Sequence, residues 1–451
     1  MRTKKIGYAL FVAAVAGICV VPTLVMPWQT EKAVGNEKLA SMPELFEEEG
    51  SFNTSILNEF SDYFADHFGF RHEMITLNDR LTGTVFRAID SSSVLLGKDG
   101  WLFYKSTLEN YTGADLFTPR QSYAAAHVLQ LMQESCAQND IRFYFTVAPN
   151  KNSLYGNQMP SRYPAAQSRS IEKLKQQLAA QNVRYIDLFA PLSASDEPLY
   201  YRLDSHWNMQ GAQLAAQTLL TELKGTAPDF DTAKTGETTP HTGDLYAMVY
   251  PSGTETEPDA VYDFSYTYDE TFRSADDITI HTQNADAEGS IFVYRDSFGI
   301  NLHPFLAQSY ANACFSRNMP YRMSAVSAEQ PDVLLVEIVE RNLNWLLERA
   351  PELPAPDRQN VNAVDTGETV AAARKDGNLE GYFCISGDLS QQKLDDETPI
   401  YILTPEAAYE ASPSGDGKQP FTAYLSEELY GQTLRVAFQS DGVWVSCALT
   451  D

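Results

Sequence analysis

The sequence has too few closely spaced cysteines for a zinc-finger or zinc-ribbon protein and too little positive charge for a typical nucleic-acid-binding protein. Its five cysteines are scattered without any C-x-x-C spacing, so a zinc site of the finger or ribbon type is not expected. Lysine and arginine number 33 against 60 aspartates and glutamates, which gives a net charge of −27. A surface this acidic repels phosphates and anionic lipids, so it disfavours nucleic-acid binding. It suits either solubility in a cationic or salty milieu or a neutral substrate. We expect no cofactor and no metal.

The chain also lacks internal repeats with a period of about 20–50 residues, which argues against a solenoid. Of its 451 residues, 43% are hydrophobic, 12% aromatic and 21% charged, an ordinary composition for a globular protein. At about 100–200 residues per domain, this length predicts two or three domains, or one large domain with additions.

One long apolar run stands at the N-terminus, from Ile6 to Trp28, directly after three basic residues. As a helix it would span roughly 35 Å, enough for the hydrocarbon core of a bilayer. The basic flank then predicts that residues 29–451 lie outside the cytoplasm. A cleaved signal peptide is the alternative and would give a secreted protein. The run lacks an A-x-A cleavage site and is longer than the usual apolar region of a signal, which favours an uncleaved single-pass membrane anchor over residues 1–28.

Short apolar strands and amphipathic helices alternate through the middle of the chain. Thr118 begins a helix with a capping box and a proline in its first turn. Strand-like runs follow at residues 141–148, 183–188, 290–295 and 332–339. This alternation predicts an α/β fold with a mostly parallel sheet and helices on both of its faces.

Composition divides the chain further. Residues 29–352 are predicted to form the α/β domain, and residues 225–289 within it, rich in Thr, Gly, Asp and Pro, are predicted to be an insertion with little regular structure. Residues 353–377 read as a linker that begins in a proline-rich stretch. Residues 378–451 follow a strand–turn–strand pattern and are predicted to be a small β-sandwich-like domain. Its two cysteines, Cys384 and Cys447, either pair or remain buried thiols.

Two segments carry side chains suited to nucleophilic catalysis. Ser297 directly follows an apolar strand and precedes a helix, whose N-terminal N–H groups are able to stabilise an oxyanion. Asp204 and His206 are two positions apart, so in an extended segment both side chains point the same way. We predict Ser297 as nucleophile, His206 as general base and Asp204 as the carboxylate that orients the imidazole. The alternative is a capping aspartate beside an exposed histidine, and a serine in an ordinary turn.

Four further residues are candidates for contacts with the substrate or the oxyanion. Asn150 and Lys151 follow a strand end and either help to form the oxyanion hole or belong to a turn. Trp207 either stacks on a sugar ring or packs beneath the catalytic residues. Arg341 ends the last strand and either contacts substrate or forms an ion pair with a neighbouring glutamate.

The segments LDSHWNMQGA (residues 203–212) and VYRDSFG (residues 293–299) resemble the paired motifs of the DHHW family. That family is related to the periplasmic alginate O-acetyltransferase proteins, within the SGNH-hydrolase-like superfamily. Five other blocks agree in the same order, at residues 64–81, 95–104, 147–160, 242–249 and 331–343. The C-terminal β region lies outside the resemblance.

The resemblance implies a flavodoxin-like sheet with permuted catalytic blocks, in which the D-x-H motif comes early and the serine late. It places the family's Asp, His and Ser at Asp204, His206 and Ser297, while Ser205 stands where the family name has a histidine. The implied activity is acetyl transfer to hydroxyls of a surface or cell-wall polysaccharide, with a multipass membrane acyltransferase as the partner that supplies the acyl group. A polysaccharide acetyl esterase and a non-catalytic glycan-binding or assembly subunit are the alternative functions.

Overall fold

The structure is a computed structural model that describes residues 2–29, 33, 38–47, 50–86, 89, 91–359 and 361–450. The chain divides into two compact units. The first unit consists of Met1–Lys105, Arg202–Ser205 and Pro240–Pro258, and the second of Ser106–Tyr201, His206–Thr239 and Asp259–Asp451. The domain boundaries predicted from the sequence stay a prediction.

The α-helices, in chain order, are α1 Arg2–Val25, α2 Ile56–His67, α3 Arg71–Phe86, α4 Leu108–Thr112, α5 Pro119–Ala137, α6 Lys151–Leu154, α7 Ser170–Ala180, α8 Phe189–Ser193, α9 Met209–Lys224, α10 Asp244–Val249, α11 Gly299–Ser309, α12 Met323–Glu329 and α13 Trp345–Glu348. The strands are β1 Val94–Leu96, β2 Leu102–Tyr104, β3 Arg142–Ala148, β4 Tyr185–Ile186, β5 Lys234–His241, β6 Glu257–Tyr262, β7 Thr267–Tyr268, β8 Thr279–Gln283, β9 Ser290–Tyr294, β10 Asn312–Ser316, β11 Val333–Val339, β12 Asp357–Arg358, β13 Val364–Asp376, β14 Tyr382–Asp388, β15 Ile400–Leu403, β16 Ala408–Ala411, β17 Pro420–Ser426, β18 Arg435–Ser440 and β19 Val443–Thr450.

The first unit contains the apolar N-terminal helix and a small hairpin. The segment Ile6–Trp28 has 23 residues and a mean hydropathy of 2.5, so its length and composition allow it to cross a membrane. A cleaved signal sequence shares these properties. Strands β1 and β2 pair antiparallel, and Val94 and Leu102 pack with Leu203 and Leu245 in a small buried core.

A seven-stranded sheet in the order β4-β3-β11-β9-β10-β8-β7 forms the centre of the second unit. Strands β4, β3, β11, β9 and β10 are parallel, whereas β8 and β7 form an antiparallel edge. The side chains of β11 alternate between two buried hydrophobic clusters. Val333 and Leu335 belong to the first cluster, and Leu334 and Val336 belong to the second. Helices α9 and α11 contribute to the first cluster and α5 and α7 to the second. The α/β prediction is therefore confirmed, with a mixed rather than purely parallel sheet.

The antiparallel edge departs from the sequence prediction for residues 225–289. This stretch contains β5, α10, β6, β7 and β8, although little regular structure was expected there. In β8, Ile280 and Thr282 are buried, whereas Thr279, His281 and Gln283 on the other face are partly or fully exposed. A short strand of this kind has no apolar run, which is why composition alone gave no strand signal.

The C-terminal strands form one sheet in the order β12-β16-β15-β18-β19-β13-β14-β17. An antiparallel bridge between Ser412 and Thr422 joins the end of β16 to β17, so the sheet curls back on itself. The expectation of two packed sheets was therefore wrong. A curled sheet and a sandwich have the same alternation of buried and exposed residues, so the sequence pattern does not distinguish them. Strands β12 and β13 fall inside the segment 353–377 that was predicted to be a linker. Cys384 and Cys447 are both free thiols.

A buried polar network connects helix α5 with the C-terminal sheet. His127 Nε2 lies 2.9 Å from Glu410 Oε1, and Arg358 Nε donates to the other oxygen of Glu410 at 2.6 Å. Arg358 also holds Glu134 with both of its terminal nitrogens. Ion pairs of this kind hold helix α5 and the C-terminal sheet in one arrangement, since burying one of these charges without its partner would cost free energy.

Candidate active site

Ser297 stands on the turn between β9 and α11, at the carboxyl end of a parallel strand. Its neighbours Asp296 and Phe298 are buried, while Ser297 itself remains partly exposed. Gly299 begins α11 under the side chain of Arg295, where an added Cβ would lie 2.5 Å from Arg295 Cδ. A glycine is therefore required for Arg295 to pass over the start of the helix. The turn presents the serine hydroxyl at the edge where active sites of α/β sheets form.

His206 meets this serine across 91 positions of sequence. Its Nε2 lies 2.9 Å from Ser297 Oγ, within hydrogen-bond distance. Asn208, two residues later, caps helix α9 by accepting a hydrogen bond from Gly211 N at 2.9 Å. The His206 ring also packs on Phe298, with 4.9 Å between ring centroids. A serine hydroxyl held against an imidazole nitrogen in this way has the geometry of an activated nucleophile.

Trp207 links the segment that contains His206 to the turn that contains Ser297 through hydrogen bonds. Its indole Nε1 donates to Phe298 O at 3.0 Å, and Asn301 Nδ2 donates back to Trp207 O at 2.9 Å. Trp207 is completely buried, with its ring edge-on to Phe298 at 5.0 Å. The prediction that it stacks on a sugar ring is therefore wrong, because a stacking platform must be exposed. Its burial fits the alternative, an aromatic side chain packed beneath His206 and Ser297.

Asp296 shapes the backbone on either side of the nucleophile. Its carboxylate accepts hydrogen bonds from Phe298 N at 2.9 Å and from Val339 N at 2.8 Å. The first bond occupies the N–H group of Phe298, the residue between Ser297 and the start of α11. The second bond ties the serine turn to the end of β11. Sequence reasoning missed this residue, although it stands directly before the serine.

Glu337, buried in β11, lies under this turn. Its Oε2 accepts from Asp296 N at 3.2 Å, and its Oε1 has no hydrogen-bond partner among the described residues. Burial, followed by the negative charge of Asp296, raises the pKa of the Glu337 carboxyl well above its usual value. The raised pKa favours the neutral form of the Glu337 carboxyl group.

We expect Glu337→Gln to flatten the pH dependence of stability. Between the usual pKa of 4.5 and the raised one, the folded chain binds a proton that the unfolded chain has released. The free energy of unfolding of the wild type therefore falls as pH rises through this interval, whereas the neutral glutamine has no such term. Urea unfolding at a series of pH values measures the difference. The control is Glu348→Gln, which removes an exposed carboxylate at the end of α13, and parallel curves for wild type and Glu337→Gln would contradict the assignment.

Asp204 belongs to the first unit and is almost fully buried there. Its Oδ2 accepts from His241 Nε2 at 2.9 Å and from Asp244 N at 2.9 Å. Asp244 in turn accepts from Ser205, through the backbone N at 2.8 Å and through Oγ at 2.6 Å. Sequence reasoning missed His241, since no short spacing links it to the D-x-H motif. The orienting role of Asp204 towards His206 stays a prediction.

The remaining candidates occupy different environments. Asn150 is fully buried, with its amide donating to Asn110 Oδ1 at 3.3 Å and its backbone N to Glu340 Oε2 at 3.0 Å. Lys151 is also buried, at the start of α6. The roles of Asn150 and Lys151 in an oxyanion hole stay predictions. Arg341 is partly exposed and places its guanidinium 5.4 Å from the centroid of the Phe298 ring, next to the serine turn.

Comparison with known proteins supports the resemblance inferred from the sequence. Residues 94–308 match the family model described as the SGNH hydrolase-like domain of the acetyltransferase AlgX. The matched range includes Asp204, His206 and Ser297. The resemblance stated from the sequence is thus confirmed over residues 94–308.

Similar curated proteins include two named as probable alginate O-acetylase AlgJ. The one from Azotobacter vinelandii is 26% identical over 207 residues, covering 43% of this chain and 52% of the relative. The one from Pseudomonas aeruginosa is 25% identical over 231 residues, covering 49% and 56%. The chain therefore spans about half the length of these curated relatives.

Two solved structures are similar at lower identity. A DHHW family protein from Eubacterium siraeum is 18% identical with a TM-score of 0.43, covering 55% of this chain and 92% of that one. The O-acetyltransferase domain of Pseudomonas putida AlgJ is 21% identical with a TM-score of 0.38, covering 56% and 92%.

Proposed function

We propose that this protein is a serine-dependent O-acetyltransferase that acetylates hydroxyl groups of a cell-surface or cell-wall polysaccharide outside the cytoplasm. The observation that carries the proposal is the 2.9 Å distance between Ser297 Oγ and His206 Nε2 at the carboxyl end of a parallel strand. The SGNH hydrolase-like domain and the relatives named as alginate O-acetylases support an acetyl transfer to a polysaccharide.

The proposed reaction has two halves. His206 Nε2 takes the proton of Ser297 Oγ as the oxygen attacks the carbonyl carbon of the acyl donor, and the resulting tetrahedral intermediate expels the donor group, which receives that proton. Acetyl-Ser297 remains. A sugar hydroxyl then gives its proton to His206 and attacks the ester, which releases the acetylated sugar and returns the proton to Ser297 Oγ.

Asp204 is proposed to orient His206 and to stabilise the imidazolium that forms in each half-reaction. Two observations in the first unit support a fixed carboxylate: the side chain is buried, and both His241 and the Asp244 backbone donate to its Oδ2. Asn150 and Lys151 remain proposed contributors to oxyanion stabilisation. Arg341 is proposed to contact the substrate, because it is partly exposed beside the serine turn.

The location and the partners are part of the same proposal. The apolar helix at Ile6–Trp28 supports a single-pass membrane anchor with residues 29–451 outside the cytoplasm, or secretion if the segment is cleaved. An external enzyme has no access to cytoplasmic acetyl donors, so we propose a multipass membrane acyltransferase as the source of the acyl group. The net charge of −27 favours a neutral polymer over a polyanionic one.

Trapping the acyl intermediate tests the proposal. The full chain in detergent is incubated with an activated acetyl ester, and intact-mass and peptide mass spectrometry follow the adduct. We expect one transient acetyl group on the peptide that contains Ser297. Addition of a neutral polysaccharide should accelerate its loss and yield acetylated polymer, whereas an esterase would release acetate at a rate independent of the polymer. Absence of any adduct at Ser297 would favour a glycan-binding subunit instead.

Trp207→Phe is expected to lower kcat without changing KM. The substitution keeps an aromatic ring but removes the donor to Phe298 O, so a buried carbonyl loses its partner and the histidine segment can shift relative to Ser297. A displacement of about 1 Å costs roughly 100-fold in rate at most, so we expect kcat to fall roughly 10- to 100-fold. Steady-state hydrolysis of an acetyl ester measures both constants. The control is Trp345→Phe on α13, and a raised KM with unchanged kcat would indicate a substrate contact instead.

A further inference from the structure

A second cluster of chemically active side chains lies at the antiparallel edge of the seven-stranded sheet. His281 on β8 and Cys314 on β10 are direct cross-strand partners, so their side chains lie on the same face of the sheet. Glu329, the last residue of α12, reaches the same place. The cluster thus combines an imidazole, a thiol and a carboxylate from three separate elements of the second unit.

The spacing of these groups suits one metal ion. One ligand atom from each of His281, Cys314 and Glu329 lies within 4.8 Å of the other two, and His281 Nε2 is 3.1 Å from Glu329 Oε1. Ligand atoms bound to tetrahedral zinc are roughly 3.3–3.8 Å apart, given bond lengths of about 2.0–2.3 Å. Movements of less than about 1 Å would therefore bring all three ligand atoms into coordination distance.

Asp269 supplies the outer partner that metal-binding histidines usually have. Its Oδ2 lies 3.4 Å from His281 Nδ1, on the opposite side of the ring from Glu329. A carboxylate at Nδ1 fixes the tautomer and the orientation of the ring, and leaves Nε2 as the ligand atom.

We propose that His281, Cys314 and Glu329 bind a divalent transition-metal ion of the zinc class, with water as the fourth ligand and Asp269 as a positioning residue. Mixed nitrogen, sulfur and oxygen ligands favour zinc-like ions over Mg²⁺ or Ca²⁺, which prefer oxygen alone. The proposed metal site is separate from the residues of the proposed acetyl transfer. Cys314 is in register with Phe292 of β9, five residues before Ser297, which corresponds to roughly 15 Å along the strands.

The expectation that the chain holds no metal rested on the absence of a C-x-x-C pair. That signal covers only ligands close together in sequence. Here the three proposed ligands are spread over 49 positions, and the register of two strands brings His281 opposite Cys314. The cluster of His281, Cys314 and Glu329 is therefore recognisable only from the pairing of β8 with β10.

Metal titration of the full chain in detergent, after removal of bound ions with a chelator, tests the site. We expect one equivalent of Zn²⁺ to bind and to raise the Tm, because an ion that binds only the folded state stabilises it. Co²⁺ should give a thiolate-to-metal charge-transfer absorption. Cys314→Ser should abolish that absorption, and Glu329→Gln, an exposed substitution with little effect on folding, should remove the rise in Tm. Asp269→Asn should weaken Zn²⁺ binding roughly 10- to 100-fold and keep the thiolate absorption.

Matched controls separate the site from unspecific binding. Cys136→Ser removes another buried thiol, and Glu222→Gln removes an exposed carboxylate on α9. Both variants should bind Zn²⁺ and Co²⁺ as the wild type does. The proposal is overturned if no stoichiometric binding occurs, if the Co²⁺ complex lacks the thiolate absorption, or if Cys136→Ser abolishes it. Retained activity on acetyl esters in any of these cases leaves the acetyltransferase proposal untouched.

Discussion

Ser297→Ala is expected to lower acetyl-ester turnover by about 10⁴-fold or more, because the variant has no oxygen to carry the acetyl group. The fold should persist, since the partly exposed hydroxyl contributes only its hydrogen bond to His206, on the order of 1 kcal/mol. Initial rates of ester hydrolysis and of polysaccharide acetylation measure the effect. Circular dichroism and thermal unfolding show whether the variant remains folded.

The matched control for this experiment is Ser309→Ala at the end of α11, the helix that follows Ser297. Ser309 Oγ donates to Phe305 O at 2.8 Å and lies at the far end of α11 from the nucleophile. Its loss should leave turnover within about twofold of the wild type, because the bond is internal to the helix. Equal turnover by Ser297→Ala and wild type would refute the serine mechanism and favour the glycan-binding function.

Signals that act between near neighbours were readable from the sequence. The capping box at Thr118 is present, with both reciprocal hydrogen bonds between Thr118 and Gln121. The strand predicted at residues 290–295 is β9, and a helix follows it as expected. These features depend on residues within a few positions of one another, so one stretch of sequence contains all the information that determines them.

Three features that depend on distant partners were not readable from the sequence. Trp207 is buried because Phe298, 91 positions away, accepts its indole hydrogen bond and packs on its ring. Strand β8 is recognisable only once β10 is beside it, because its own residues are mostly polar. Likewise, the bridge that curls the C-terminal sheet joins two strands whose alternation is compatible with several architectures.

The proposed chemistry also depends on residues that the sequence did not mark as functional. Asp296 and Glu337 hold the serine turn against β11, and each is expected from the sequence only as a polar residue in or beside a strand. His241 donates to Asp204 from a segment 37 positions away. A nucleophile must be held within a fraction of an ångström, so such supporting contacts determine the rate as much as the motif does.

Asp204→Asn is expected to lower kcat by about 10⁴-fold, through loss of the carboxylate that selects the reactive tautomer of His206. Asparagine has nearly the same size and still accepts the hydrogen bond from Asp244 N, so the fold of the first unit should survive. A loss of activity in Asp204→Asn has two explanations, an effect on His206 or an effect on His241, because His241 donates to the Asp204 carboxylate. His241→Gln therefore serves as the control: it removes the imidazole but keeps a donor for Asp204, and kcat should stay within about tenfold of the wild type. If His241→Gln loses as much activity as Asp204→Asn, the carboxylate acts through the first unit rather than on His206, and the proposed triad is wrong.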